Sequence, residues 1–302
     1  MKLHPALKWL VPLIFVLALG AALSAALPGL WPGAGAPYPL TSFRGEQVTI
    51  NATGLYHWDT LSSAAQMQAN DAVTLVLGLP LLAISFWRAS RGSLRGQIVL
   101  TGTLGFFLYT YMSMCFGTAY NRLFLVYVAL FGLSLYAFIL SMLSFDLRSL
   151  PAHFSDRLPR RWIAGLLLFA AAFLALAWLG RIAGTFAPGS IAPLENVTTM
   201  FIQAMDLALI VPLCVLGAVL LLRRSVWGYL LVSVGMLKFV TMGSAVSLMA
   251  LNMARVGAPI DLAELVIFPA ITLINAVLVV VLLRNIDRQG GEPSRLQGAD
   301  IV

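Results

Sequence analysis

The sequence predicts an all-α membrane protein, a polytopic helical bundle of eight transmembrane helices in two parallel four-helix repeats, with both termini cytoplasmic. Of the 302 residues, 60% are hydrophobic and 10% are charged, which is far from the balance of a soluble domain. Apolar runs of about 20 residues recur, and a helix of that length crosses a hydrocarbon core of roughly 30 Å. The runs are continuous, whereas the strands of a membrane barrel are shorter and alternate in polarity.

Basic residues lie mainly on one side of the predicted spans. The spans cover residues 8–28, 71–88, 97–117, 123–144, 162–180, 201–222, 226–250 and 263–284. With the N-terminus in the cytoplasm, the outer loops carry only Arg44, Arg122, Arg181 and Arg255. This asymmetry follows the positive-inside rule, so topology explains the net charge of +7 and no nucleic-acid partner is expected. The expected partners are the lipid bilayer and a small solute or ion, and the oligomeric state stays open.

The first span has two interpretations. The basic start and the small residues at 24–26 are typical of a cleaved signal peptide. Lys8 and Trp9, however, open this span as Arg161 and Trp162 open the fifth. The segment is therefore assigned to the first helix of its half.

A short polar signature at the start of the second and sixth spans indicates duplication. Gln68 and Asp71 in the first signature correspond to Gln203 and Asp206 in the second. Carboxylates at matching places in duplicated units are common in transporters. An acid at a helix N-terminus also caps the helix and interacts favourably with its dipole, and the glutamines would support the same caps. Both interpretations, a binding site and a helix start, remain open.

Prolines downstream extend the repeat. The segment that starts at Pro80 aligns without gaps on the segment that starts at Pro212. Each proline falls inside a predicted span and removes a backbone hydrogen bond, which predicts a kink that suits either a gate or a passive bend. Each half holds four spans, an even number, so both enter the membrane in the same orientation. The predicted units are residues 1–150 and 151–288, followed by a disordered cytoplasmic tail at 289–302.

The first outer loop, predicted at residues 29–70, is unusually long. Its alternating segment at 47–53 predicts a short strand. His57, Trp58 and Asp59 form its one group with acid–base character. Loops of this length are often lids or binding elements, although they also serve as passive caps. A single histidine more often makes a local hydrogen bond than binds a ligand.

Two ionisable residues of the second half are predicted to meet inside the membrane. Asp206 lies about four residues below the outer end of its span, and Lys238 lies near the middle of the next span. A lysine at that depth must pair or line a wet cavity, so the sequence predicts an Asp206–Lys238 ion pair. The pair either bridges the bundle structurally or lines a substrate pathway. The first half has Phe106 where the second has Lys238.

The third span has a polar outer half. The hydroxyls of Tyr109 and Tyr111 are predicted to line an outward cavity with Asp71, or else to form an aromatic belt and interhelical hydrogen bonds. Cys115 and Cys214 show no metal-ligand spacing, so buried free thiols are expected and no metal or cofactor is indicated.

The function predicted from these patterns is a small-solute or ion transporter or channel with an outward cavity between the repeats. The alternative is a non-catalytic scaffold or sensor subunit that binds a partner through the outer loop. An enzyme is less favoured, because the sequence shows no cluster of acids or histidines at one interface and none of the common catalytic motifs. A composition rich in Ala, Leu and Arg indicates a bacterial inner (cytoplasmic) membrane.

Overall fold

Long apolar helices dominate the structure. The computed structural model describes residues 3–27, 30–31, 35–195 and 197–286. Within those residues, eight helices are long and apolar enough to cross a membrane, which confirms the prediction of a multi-pass helical membrane protein. The predicted tail at 289–302 lies outside the described residues, as do the last two residues of the second predicted unit.

The elements follow one another simply along the chain. They are α1 (Leu7–Ala26), β1 (Tyr38–Thr41), β2 (Gln47–Ile50), α2 (Leu61–Val73), α3 (Leu79–Ser90), α4 (Leu94–Gly117), α5 (Phe124–Leu143), α6 (Arg160–Gly184), α7 (Phe201–Met205), α8 (Val211–Leu222), α9 (Val226–Val256) and α10 (Leu262–Arg284). Helices α2 and α3 together form one span, and so do α7 and α8.

Each of these two composite spans contains a π-helical turn. Residues Thr74–Gly78 join α2 to α3, and residues Asp206–Ile210 join α7 to α8. Pro80 and Pro212 are the second residues of α3 and α8, immediately after the wide turns. A proline lacks the N–H that an α-helix would use there, and a π-turn accommodates the interruption without ending the span. π-turns inside α-helices are frequent at functional sites.

The second span begins earlier than the sequence suggests. Residues 61–70, assigned to the outer loop, are helical in α2, and the Thr60 side chain caps this helix by accepting a hydrogen bond from the Ser63 backbone N–H at 3.2 Å. Asp71 is therefore in the last turn of α2, and the interpretation of Asp71 as an N-terminal cap is wrong. Small and polar residues at 62–70 hid the helix, because they pack against protein rather than lipid.

Helix α4 lies at the centre of the bundle, between α3, α5 and α9. Phe106 is fully buried. Gly102 allows α9 to approach closely, since a Cβ atom there would lie 2.4 Å from the Leu237 Cβ atom. Helices α6 and α10 are peripheral: α6 packs on α8 and α10 on α9. The rings of Phe173 and Phe268 bring α6 and α10 together, with centroids 5.9 Å apart.

The loop between α1 and α2 forms a small hairpin outside the spans. Strands β1 and β2 are antiparallel, with Tyr38 opposite Ile50 and Thr41 opposite Gln47. We call this end of the bundle the hairpin side. The loop between α6 and α7 lies on the same side, because an even number of spans separates the two loops.

Candidate functional site

A cavity of about 700 Å³ extends from the hairpin side into the second half of the bundle. Its walls come from α2, α4, α6, α7, α9 and α10, and its mouth from three loops on the hairpin side, those that precede α2, α7 and α10. Glu46 and Glu195 lie at the mouth, and Lys238 and Asn275 lie on the wall near the middle of their helices. The cavity therefore reaches membrane depth.

Asp206 joins three spans at the wall of this cavity. It is the first residue of the π-turn before α8 and is 8% exposed. The Tyr109 hydroxyl of α4 donates a hydrogen bond to its Oδ1 at 2.7 Å, and the Trp178 Nε1–H of α6 donates to its Oδ2 at 2.9 Å. Both carboxylate oxygens thus have a donor from a different helix.

Lys238 faces Tyr109 rather than Asp206. Its Nζ atom lies 4.0 Å from the centroid of the Tyr109 ring and 5.2 Å from that of Phe239. In the described part of the chain, the one ion pair within bonding distance is Arg160–Asp156 at 3.8 Å. The predicted direct Asp206–Lys238 pair is therefore wrong. Tyr109 stands between the two charges, with its hydroxyl on the acid and its ring face under the amine.

The structure brings four of the predicted site residues together and separates the others. Tyr109, Gln203, Asp206 and Lys238 all line the cavity. Gln68 is exposed on α2, and neither Asp71 nor Tyr111 contributes to the cavity wall. Tyr109 and Tyr111 are two positions apart on α4, which corresponds to a rotation of about 200°, so their side chains point to opposite sides of the helix.

Asp71 belongs to a separate, closed cluster. The Tyr56 hydroxyl, from the loop after the hairpin, donates to Asp71 Oδ2 at 2.6 Å. The rings of Tyr111 and Tyr127 stack beside it with centroids 6.2 Å apart, and all four side chains are buried. Burial, together with the charge of Asp71, raises the pKa of Tyr56 well above its usual value. Tyr56 was not predicted, because nothing in its sequence context marks it as inward-facing.

The predicted outer-loop group ties the loop to the bundle. Asp59 is buried, and its Oδ1 accepts from the Ala119 N–H at 2.9 Å and from the Ser63 hydroxyl at 3.2 Å. Burial raises the pKa of Asp59 to about 6. His57 Nδ1 is 2.9 Å from the Gly54 carbonyl oxygen, and its ring lies 4.8 Å from that of Trp58. None of the three residues belongs to the cavity wall.

Polar contacts between the loops that precede α2 and α7 shape the cavity mouth. The hydroxyls of Thr60 and Ser62 donate to the Glu195 carboxylate. The Glu46 carboxylate accepts from the backbone N–H groups of Leu194 at 3.1 Å and Glu195 at 2.8 Å. These pairs lie 133 to 149 positions apart in the chain, so no local signal predicts them.

Comparison with protein families, with curated proteins and with solved structures found no match for this chain. Among the residues that the structure describes, no three His, Cys, Asp or Glu side chains are grouped to hold a metal ion. Cys115 and Cys214 are free thiols. The cavity and its charged residues are therefore the features that indicate a function.

Proposed function

We propose that the protein is a membrane transporter that binds a small solute or ion in the cavity beside Asp206 and Lys238. The observation that carries the proposal is the placement of two ionisable side chains on the wall of a cavity at membrane depth. Ionisable residues inside spans are costly and mark substrate or ion pathways by default. The volume of about 700 Å³ suits a small organic molecule.

The π-turns support a movable site. Asp206 begins the turn that interrupts its span, so its carboxylate sits where the helix is least regular. Discontinuous helices are a common way for transporters to build binding sites at mid-membrane. A change in the π-turn would move Asp206 relative to Tyr109 and Trp178, which offers a route to alternating access.

We also propose that residues 1–150 and 151–288 are parallel repeats, with both termini cytoplasmic and the hairpin side facing out of a bacterial inner membrane. In support, Pro80 and Pro212 each follow a five-residue π-turn at the same spacing. Gly96 and Gly228 each allow the close packing of a tight helical hairpin, because a Cβ at either position would meet backbone atoms within 3.0 Å.

A scaffold or sensor subunit is the second candidate. Phe43, at the tip of the hairpin, is 77% exposed, and Trp58 is 58% exposed. Exposed aromatic side chains outside the membrane suit a protein partner. On this proposal, loss of Phe43 would impair assembly with the partner and leave the cavity intact.

Flux in proteoliposomes tests the transport proposal. Vesicles with an internal pH-sensitive dye receive concentration jumps of acetate, phosphate, glycine or ammonium salts, and empty vesicles give the background. Asp206→Asn should lower any protein-dependent flux at least about tenfold, since it removes the charge that orients Tyr109 and Trp178. Asp71→Asn, in the closed cluster, is the matched control and should retain most of the flux. Absence of flux above background, or equal flux in wild type and Asp206→Asn, would refute the proposal.

A further inference from the structure

Lys238 is a cation on the cavity wall whose amino group has no hydrogen-bond acceptor among the described residues. Lys238 is 8% exposed and lines the cavity. A lysine amino group has three N–H donors; the ring faces of Tyr109 and Phe239 lie against this one, and Asp206 and Cys214 interact with it electrostatically without a described hydrogen bond. An amine inside a membrane is costly unless an acceptor reaches it, and aromatic faces satisfy only part of its charge. The structure therefore leaves room for an acceptor at this position.

Asp206 is not that acceptor, because its carboxylate is held by donors from two other helices. Each oxygen receives one strong donor, from Tyr109 at 2.7 Å and from Trp178 at 2.9 Å. At the mouth, the Glu46 and Glu195 carboxylates are likewise held by backbone and hydroxyl donors. Asp261 and Glu264 also line the cavity, at the start of α10, whereas Lys238 is a cation near the middle of its span whose N–H donors have no acceptor among the described residues. A ligand that reaches this depth therefore meets a cation, which favours a ligand that carries an acceptor.

Asn275 adds a second unsatisfied atom near the same level of the bundle. Its Nδ2 donates to the Met236 carbonyl at 3.0 Å, two residues before Lys238, which fixes the orientation of the amide. Its Oδ1 is buried and has no donor within the described residues. A singly charged phosphate monoester carries acceptor oxygens and one O–H and so has the groups that both residues lack, whereas a carboxylate supplies the acceptor for Lys238 alone.

The wall next to Lys238 is apolar and reaches the periphery of the bundle. Five residues on one face of α6 line it: Leu166, Leu167, Ala170, Phe173 and Leu174. Phe268 and Ile271 of α10 line it as well, and the Phe268 ring contacts that of Phe173. Because α6 and α10 lie at the periphery of the bundle, this apolar part of the cavity lies near its outer surface.

We propose that the cavity binds an amphipathic organic anion, with its carboxylate or phosphate on Lys238 Nζ and its apolar part along the α6–α10 wall. This inference rests on the cavity of the proposed function and specifies its ligand class, but it does not require transport. The anionic group is common to free fatty-acid-like molecules and to phosphate headgroups of lipids, and the experiment distinguishes these two sources.

Binding of dodecanoate to the full chain in phosphatidylcholine nanodiscs tests the proposal, after subtraction of binding to empty nanodiscs. Wild type should bind dodecanoate at least about tenfold more tightly than dodecanol or dodecylamine, because only the anion makes a charge-assisted hydrogen bond to Lys238. Acetate, which lacks the apolar part, should bind more weakly than dodecanoate. Tighter binding of the amine than of the anion would overturn the proposal.

Variants locate the anionic group. Lys238→Met has nearly the same shape and should lose about tenfold to a hundredfold in dodecanoate affinity, while binding of dodecanol stays within about twofold. Lys238→Arg, which keeps the charge, should retain more affinity than the Met variant. Arg181→Met is the matched control: this cation of the mouth already donates to the Pro193 carbonyl at 2.7 Å, so its loss should change affinity by less than about twofold. Equal effects at positions 181 and 238 would place the anion at the mouth and overturn the assignment.

Native mass spectrometry identifies the source of the anion. Protein released from nanodiscs that contain a phosphatidic acid should retain that lipid if a headgroup is the ligand, and Lys238→Met should not. If only dodecanoate is retained, the ligand is a free amphiphile, and if neither is retained the proposal fails. Dodecanoate binding without flux would refute transport alone, whereas flux of small solutes without dodecanoate binding would refute the ligand class alone.

Discussion

Asp71 and Asp206 are two membrane-embedded acids with the same first partner and different surroundings. Each accepts a hydrogen bond from a tyrosine hydroxyl, Tyr56 at 2.6 Å and Tyr109 at 2.7 Å. Asp71 is enclosed by aromatic side chains and by the loop that follows the hairpin, and it does not contribute to the cavity wall. Asp206 lines the cavity and has a lysine on the other face of its tyrosine.

The origin of the tyrosine explains this difference. Tyr56 comes from the long first loop, whose insertion fills the space above Asp71. Tyr109 comes from the central helix α4 and not from a loop, and Asp206 remains on the cavity wall when it accepts this hydrogen bond. The same donor chemistry therefore closes one half of the bundle and leaves a candidate site in the other.

The largest expected effect is on the pH dependence of the unfolding free energy. It arises from Asp59, in the loop that also supplies Tyr56 to the closed cluster. Burial raises the pKa of Asp59 to about 6 in the folded protein, so the folded state binds its proton more tightly than the unfolded state. This contribution is fully present below about pH 4 and is lost as the pH rises through about 6, with a total on the order of 3 kcal/mol. Asp59→Asn should remove the slope of unfolding free energy in this window, measured by denaturation in detergent. Asp261→Asn, an exposed acid, is the control, and an unchanged slope in Asp59→Asn would contradict the prediction.

Removal of each tyrosine hydroxyl should affect the two regions unequally. Tyr56→Phe leaves the enclosed Asp71 carboxyl without a described donor and should lower the free energy of unfolding by about 1–3 kcal/mol. Tyr109→Phe should cost less, because Asp206 keeps Trp178 and can bind water in the cavity. Thermal unfolding of the two purified variants measures the difference. A larger loss in Tyr109→Phe would show that the cavity is dry.

Labelling of adjacent positions on α2 tests where the cavity ends. Asn70 lines the cavity and its neighbour Asp71 does not. In a background with Cys115 and Cys214 replaced by alanine, Asn70→Cys should react with a small water-soluble thiol reagent about tenfold faster than Asp71→Cys, since solvent access controls the rate. Mass spectrometry follows the reaction. Equal rates would mean that positions 70 and 71 are both open to water.

The smallest effect is expected at the second donor of Asp206. Trp178→Phe removes the Nε1–H bond but leaves Tyr109 in place, and cavity water can take over the vacated oxygen. The loss of unfolding free energy should be below about 1 kcal/mol. The same denaturation assay measures it, and Leu176→Ala, at an exposed position of the same helix, is the control for general effects on α6. A loss comparable to that of Tyr56→Phe would show that Trp178 is enclosed like Tyr56.

Several local features were predictable because their signals are local. The eight spans follow from runs of apolar residues, and the structure agrees with their number. The start of the second span was misplaced at Asp71, because the polar residues of α2 that pack against protein resemble a loop in hydropathy. The depth of Lys238 along its span is also a matter of counting residues, and the structure places this residue on the cavity wall.

The sequence by itself determined the membrane class, the number of spans and the depth of each ionisable residue, because these depend on composition and on the fixed rise of a helix. Only the tertiary structure decided that Tyr109 rather than Tyr111 meets Asp206, and that Tyr56 closes the space at Asp71. Tyr109 and Asp206 lie 97 positions apart in the chain. Their contact depends on how far each helix rotates about its axis as it packs, and the packing partners of all neighbouring spans set that rotation together.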